Sequence, residues 1–509
     1  MSFKYLVRIS EFTWVMDHRV VPEARAMFAA MVSRIPQGGI AQRYREVVVK
    51  VAQHDNVSFK DAEDKLTTYH SHGAHALHPI VQKFFDTHVA NYGHGSVKEL
   101  TGSPLVFIEG ISWWLAYLLF DNPLVCGQEA STRAVMHDTG VPCAEILGST
   151  LLTTEEKGEF RAIHTEGMAL TKDQIELWKV ELRRECPDCL GKGCPTCNGT
   201  GKKYPWMNDP QAFRPAFDKA RWALPGTYST AVSLAVDIRT IGKILANISE
   251  FATQDPSGIG EIYRSLVATY EYAMPGMAGM WISEEGVRAH SQPTPMHIKE
   301  MLLPSHPANA PAEREDEVVV LLHQGALREG LSTPKRGRIR TYVDPSANHE
   351  ARITLEFDTT IACLRDWHRH RTAYPWSVDV LTAEGGVNAV QTAFQDSAYV
   401  VAPGEDSHLR TNDYLGRCYN LRHQLLERAK TDKKNAAALS WFALLACPLG
   451  TMVRVRTRMG LRDAMYMLEL RKYAHGANFE YKYTASALLD QVAALSKDTP
   501  FDQFPRDEK

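Results

Sequence analysis

The distribution of apolar and polar positions divides the chain before any chemistry is considered. Residues 93–135 are rich in aromatic and aliphatic side chains and carry no run of charge, which marks buried structure. Within them, Val106-Phe107-Ile108-Glu109-Gly110-Ile111 suits a strand. Trp113 to Phe120 suits an apolar helix of a turn or two that breaks at Asn122-Pro123. Residues 150–184 turn charged and helix-favouring, with Leu170, Ile175, Leu177 and Leu182 recurring at helical spacing. Pro225 then opens residues 227–248, which read as a further helix, because proline in a first helical turn forfeits no intrahelical bond. Residues 284–348 become rich in proline, charge and histidine, the composition of a linker.

The pattern then repeats weakly. Residues 355–371 again give a strand followed by a helix, and residues 447–471 again give a proline followed by a long amphipathic helix. Setting Pro225 against Pro448 also pairs Arg239 with Arg462 and Leu245 with Leu468. Setting Pro123 against Arg371 leaves the first half longer by about the length of the Cys-rich segment 183–205, which therefore reads as an insertion into a duplicated domain. The expected organisation is a first domain over 1–284, a linker over 285–318 and a second domain over 319–509. The fold class is mixed α/β (α+β).

Composition narrows the function. With 44% apolar and 23% charged residues, the 509-residue chain is neither disordered nor fibrous. A formal net charge of −3 gives no global field that would draw it to nucleic acid or anionic lipid. No apolar run reaches membrane-spanning length and the first twenty residues lack signal-peptide features, so the expected location is cytoplasmic, with no membrane partner. Of nine cysteines, four fall in one short segment and the others are scattered, which suits a reducing compartment rather than a disulfide framework.

That segment, Cys186-Pro-Asp-Cys189-Leu-Gly-Lys-Gly-Cys194-Pro-Thr-Cys197, contains two C-x-x-C pairs separated by a glycine-containing turn. Each pair presents two thiolates to one tetrahedral Zn²⁺, while the glycines permit the tight turns. A closed four-sulfur site is structural: a local staple, or a contact to nucleic acid or a partner through Lys192, Lys202 and Lys203. The histidines His70, His72, His75 and His78 lack helical spacing and read as loop composition.

His368-Arg369-His370-Arg371 sets four cationic or titratable side chains in succession, costly unless anions are bound there. Arg454, Arg456, Arg458, Arg462 and Arg471 follow on what reads as one helical run with few acids between them, which points to phosphate or dinucleotide binding.

These residues resemble the flavin-dependent thymidylate synthases, whose signature is Arg-His-Arg, a later Ser usually followed by Gly-Arg-Tyr, an earlier Gly-His and a later Arg-rich helix. The chain resembles two tandem copies of that domain, over roughly 80–265 and 345–490, each holding part of the signature. In the second copy Arg365 to Arg371 matches the head of the motif, but its tail falls on Asp379 and Leu381. In the first, Gly93-His94 and Gln128-Glu129-Ala130-Ser131-Thr132-Arg133 match, whereas Asp121-Asn122-Pro123 stands where the head belongs. Arg221 before Leu224-Pro225 matches a nucleotide-phosphate arginine whose second-copy counterpart is Leu444, and Arg471 matches another whose first-copy counterpart is Ile248. Each lost half is retained by the other copy, which implies a composite site between repeats and a homodimer that forms a pseudo-tetramer.

The resemblance implies FAD reduced by NADPH, methylenetetrahydrofolate as carbon donor, and dUMP or a similar pyrimidine deoxynucleotide methylated at C5. It assigns Ser131, Glu129, Arg133, Arg221 and Arg471 to the nucleotide. It assigns His94, Arg369, His370, Arg371, Asp237, Arg239, Arg462 and His475 to the flavin side. Departures stand at Asp237, where the family has Asn, and at Ala134, where Tyr is usual. They leave open a nucleotide hydroxymethylase of the same fold, a catalytically silent nucleotide- or nucleic-acid-binding relative, and modification of a pyrimidine within a polynucleotide. The zinc assignment stands independently: elemental analysis of the purified chain is expected to give one zinc per chain, and Cys186→Ser is expected to abolish it.

Overall fold

The computed structural model describes residues 3–8, 14–31, 39–68, 77–91, 101–130, 136, 140–182, 209–274, 282, 319–323, 352–368, 370, 376–380, 405–473, 481 and 484–489. A hairpin of β1 (Leu6–Arg8) and β2 (Trp14–Met16) leads into α1 (Pro22–Met31), α2 (Gly39–Asp55), α3 (Phe59–Lys65) and α4 (Pro79–Phe85). The first repeat then runs β3 (Leu105–Ser112), α5 (Trp113–Phe120), β4 (Cys126–Glu129), α6 (Ala144–Gly148), α7 (Thr154–Leu182) and α8 (Asp209–Ala220). A short 3₁₀ turn (Arg221–Ala223) precedes β5 (Ser229–Ala235), α9 (Ile238–Gln254) and α10 (Ile259–Ala273). After β6 (Val319–His323), the second runs β7 (Arg352–Thr360), α11 (Ile361–His368), β8 (Trp376–Val380), α12 (Glu405–Thr431), α13 (Ala436–Leu445), β9 (Met452–Gly460) and α14 (Leu461–Tyr473).

The architecture is helices packed with small antiparallel sheets, the expected α+β class. One sheet is ordered β3-β5-β4 and the other β6-β7-β9-β8, so apart from the extra edge strand β6 the two share one topology. Helices α9 and α14 start at Ile238 and Leu461, preserving the offset between Pro225 and Pro448. Helices α5 and α11 start at Trp113 and Ile361, preserving the offset between Pro123 and Arg371. The linker 285–318 and the insertion 183–205 lie outside the described residues.

Local chemistry explains where elements begin. Ser112 caps α5 by accepting from the Leu115 N–H, and Thr153 and Glu156 cap α7 reciprocally, each side chain accepting the other's backbone N–H. In β3 a bulge falls at Gly110, whose φ of 76° lies in the left-handed region that favours glycine.

Two expected helices are corrected. Residues 229–235 and 452–460 are the central strands β5 and β9, and helix follows only from 238 and 461. Each proline closes a turn instead of opening a helix, with the Tyr228 N–H bonded to the Pro225 carbonyl and the Thr451 N–H to that of Pro448. The arginines at 454, 456 and 458 consequently alternate with buried Val453, Val455, Thr457 and Met459. On the neighbouring strand β7 the residues opposite Arg454, Arg456 and Arg458 are Asp358, Glu356 and Thr354, and Arg456 Nε donates to Glu356 Oε2 at 2.7 Å. Arg454, Arg456 and Arg458 therefore lie on a strand and not on one helical run, and Arg456 is paired across it to Glu356.

The halves meet along two seams. Long helices α7 and α12 pair through acids on the first and arginines on the second: Asp173 with Arg410, Glu159 and Glu166 with Arg417, and Glu156 with Arg428. Beside them the backbone is shared, the Leu449 N–H donating to the Leu224 carbonyl and the Gly450 N–H to that of Trp222. A Cβ at Gly226 would lie 2.3 Å from the Cys447 carbonyl oxygen, so the approach requires glycine. Arg428 is the best-anchored member of the helix seam, since it also donates to the Leu151 carbonyl at 2.9 Å. Arg428→Ala is expected to cost about 1–2 kcal/mol in chemical denaturation.

Candidate active site between the two halves

The second-half helix α11 carries Arg365, Asp366, Trp367 and His368 at its C-terminal end, all buried. Most of the preceding residues are apolar, and their packing brings this turn against β4 and the 3₁₀ turn of the first half. Arg365 Nε donates to Glu129 Oε2 at 2.9 Å, with the side chains 4% and 10% exposed. Its Nη2 also donates to the Ala130 carbonyl, and the Thr230 hydroxyl donates to the other Glu129 oxygen at 3.3 Å. The next residue works in the opposite sense: Asp366 Oδ2 accepts from Arg221 Nη2 at 2.9 Å, with the side chains 5% and 1% exposed respectively. Adjacent residues of one helix therefore hold an acid and a base of the other half in crossed pairs.

His368 extends the junction, its ring centroid 4.0 Å from that of Tyr117 and its Nε2 3.4 Å from Asp121 Oδ1. Asp121 opens the stretch Asp121-Asn122-Pro123, which forms a turn closed by the Leu124 N–H on the Asn122 side chain. On the far side Arg471 Nε donates to His370 Nε2 at 2.9 Å, and its guanidinium lies 4.5 Å from the centre of the Tyr481 ring. Because Arg471 is always the donor, His370 accepts at Nε2, and a neutral ring keeps its proton on Nδ1. Burial pushes the Tyr481 phenol well up, so it stays protonated and donates to the Asp366 carbonyl at 2.6 Å.

Of the residues expected at the site, Glu129, Arg221, His370 and Arg471 are thus placed at this junction, drawn from both halves. Asp237 caps α9, accepting from the N–H groups of Arg239 and Thr240, which leaves Arg239 in the first turn. Arg462 lies in α14, its side chain outside the described residues. His94, Ser131, Arg133, Arg369, Arg371, His475 and the four cysteines 186, 189, 194 and 197 also lie outside the described residues. His368 belongs to the cluster expected to bind anions and Arg365 and Asp366 to the matched motif segment, but sequence alone does not give the pairing of Arg365, Asp366, His368, Asp121 and Tyr481 with particular partners. The available signal was an Arg-Asp dipeptide inside an otherwise apolar helix.

One further cluster bears metal-ligand chemistry, and His78 is part of it rather than loop composition alone. His54, Asp55 and His78 lie together, with Asp55 Oδ1 2.7 Å from His54 Nδ1 and 3.2 Å from His78 Nε2. Yet the Ile80 N–H donates to His78 Nδ1, capping α4, so the neutral His78 ring carries its proton on Nε2 and gives it to Asp55. A metal at Nε2 would require that cap to break.

The chain matches no protein-family model and no curated protein. The geometry itself makes a prediction: Asp366→Ala leaves Arg221 buried without its carboxylate. It is expected to cost about 3–5 kcal/mol in denaturant unfolding.

Proposed function

We propose that the chain is a flavin- and folate-dependent enzyme that transfers a one-carbon unit to C5 of a pyrimidine deoxynucleotide, methylating dUMP. The observation that carries this reading is that Glu129 and Arg221 from one half, paired to Arg365 and Asp366 of the other, are linked through Tyr481 to the half-buried Arg471 and His370. The complementary signature halves thereby supply one donor set that suits FAD and a nucleotide together.

When bound, FAD reduced by NADPH supplies the hydride and methylenetetrahydrofolate the carbon. The chain's own residues bind and orient. Arg471, fixed against His370 and the Tyr481 ring, and Arg221, fixed against Asp366, present guanidinium forks of the shape that phosphate requires. Ser131, Glu129 and Arg133 contact the nucleotide, and donors such as Ser131 and Arg133 on the pyrimidine carbonyls would stabilise enolate-like charge on those oxygens and so ease reaction at C5. Arg369, His370 and Arg371, with His94, Asp237, Arg239, Arg462 and His475, hold the flavin. Cys186, Cys189, Cys194 and Cys197 hold a structural Zn²⁺. Two chains forming a pseudo-tetramer complete the assembly.

The test is mass spectrometry of dUMP incubated with the protein, FAD, NADPH and methylenetetrahydrofolate. A methylated product is expected, a hydroxymethylated one would redirect the outcome within the same fold, and unchanged dUMP would overturn the reading. Arg371→Ala is expected to lose flavin. Ser131→Ala is expected to keep flavin and weaken nucleotide binding by about tenfold.

A further inference from the structure

The repeated topology supplies an internal control for the charged junction, because every position in it has a counterpart in the other half. Through the offsets kept by α5 and α11, Arg365 corresponds to Tyr117 and Asp366 to Leu118. Through the strand registers, Glu129 opposite Val232 corresponds to Val378 opposite Val455. Through the offset of Pro225 and Pro448, Arg221 corresponds to Leu444.

The four counterparts are buried, at 4%, 4%, 0% and 2% exposure for Tyr117, Leu118, Val378 and Leu444. The fold thus fills one set of positions with uncharged side chains and the corresponding set with two ion pairs. Buried ion pairs seldom stabilise more than well-packed apolar residues of similar volume, so packing alone gives no reason to keep them. They persist at one junction where an anion is to be met, and a phosphate could find no charged partner among Tyr117, Leu118, Val378 and Leu444.

Resting on the nucleotide reading above, we propose that each chain binds one nucleotide at the charged junction and none through the uncharged counterpart residues. We further propose that Asp366 is the positioning residue that aims Arg221. Asp366 fixes one edge of the guanidinium through Nη2 and is itself held by the Tyr481 hydroxyl on its backbone carbonyl. It acts through Arg221 rather than on the ligand.

The experiment is equilibrium dialysis of the full chain, with FAD present, against dUMP, together with thermal melting. One dUMP per chain is expected; two per chain would overturn the inference. Asp366→Asn is expected to weaken dUMP binding about tenfold while flavin uptake stays intact. The variants Arg221→Leu and Arg221→Leu/Asp366→Leu are expected to bind dUMP equally weakly, because Asp366 has nothing left to aim. The double variant, which copies Leu444 and Leu118, is expected to melt no lower than the parent chain. Unchanged dUMP affinity in Asp366→Asn, or a further loss on adding Asp366→Leu to Arg221→Leu, would overturn the positioning role. A parent chain that takes up FAD but no dUMP would instead bring down the nucleotide reading beneath it.

Discussion

Two side chains on one helical turn hold the candidate site together. Arg365 and Asp366 leave α11 in succession and pair with Glu129 and Arg221 of the other half. Because the charges cross, the junction is neutral as a whole while keeping two guanidinium groups in place. Burying either charge alone would be costly, so each member requires its partner from the opposite half. The halves are therefore interdependent at the site as well as along their seams.

Those seams explain how the junction is held in register. The α7 and α12 ladder fixes the long helices side by side, and the shared backbone bonds near Leu224 and Leu449 bring the 3₁₀ turn with Arg221 close to the second half. Gly226 permits that approach. The two copies of one topology differ at the corresponding positions, with Arg365, Asp366, Glu129 and Arg221 in one set and Tyr117, Leu118, Val378 and Leu444 in the other.

Much of this organisation was legible in sequence, and the parts that were not have physical causes. The strand and apolar helix at 105–120 and the charged helix over 154–182 follow from local pattern and capping, which is information contained within each segment. The central strands β5 and β9 resemble helix in sequence because each sits between a proline and a true amphipathic helix. The period of two in Val453, Val455, Thr457 and Met459 was nevertheless present. The acid that pairs with Arg456, Glu356, lies 100 residues away in sequence, so no local window contains it. The same holds for Glu129 with Arg365 and Arg221 with Asp366. Composition could suggest that complementary remnants share a site, but it could not identify which acid faces which arginine.

The claim on which all of this turns is that residues of both halves build one working flavin and nucleotide site. It is tested most directly by the near-ultraviolet and visible absorption spectrum of the purified chain, recorded before and during addition of dUMP. The account predicts a flavin spectrum that dUMP perturbs saturably. A colourless protein that takes up no added FAD would contradict it.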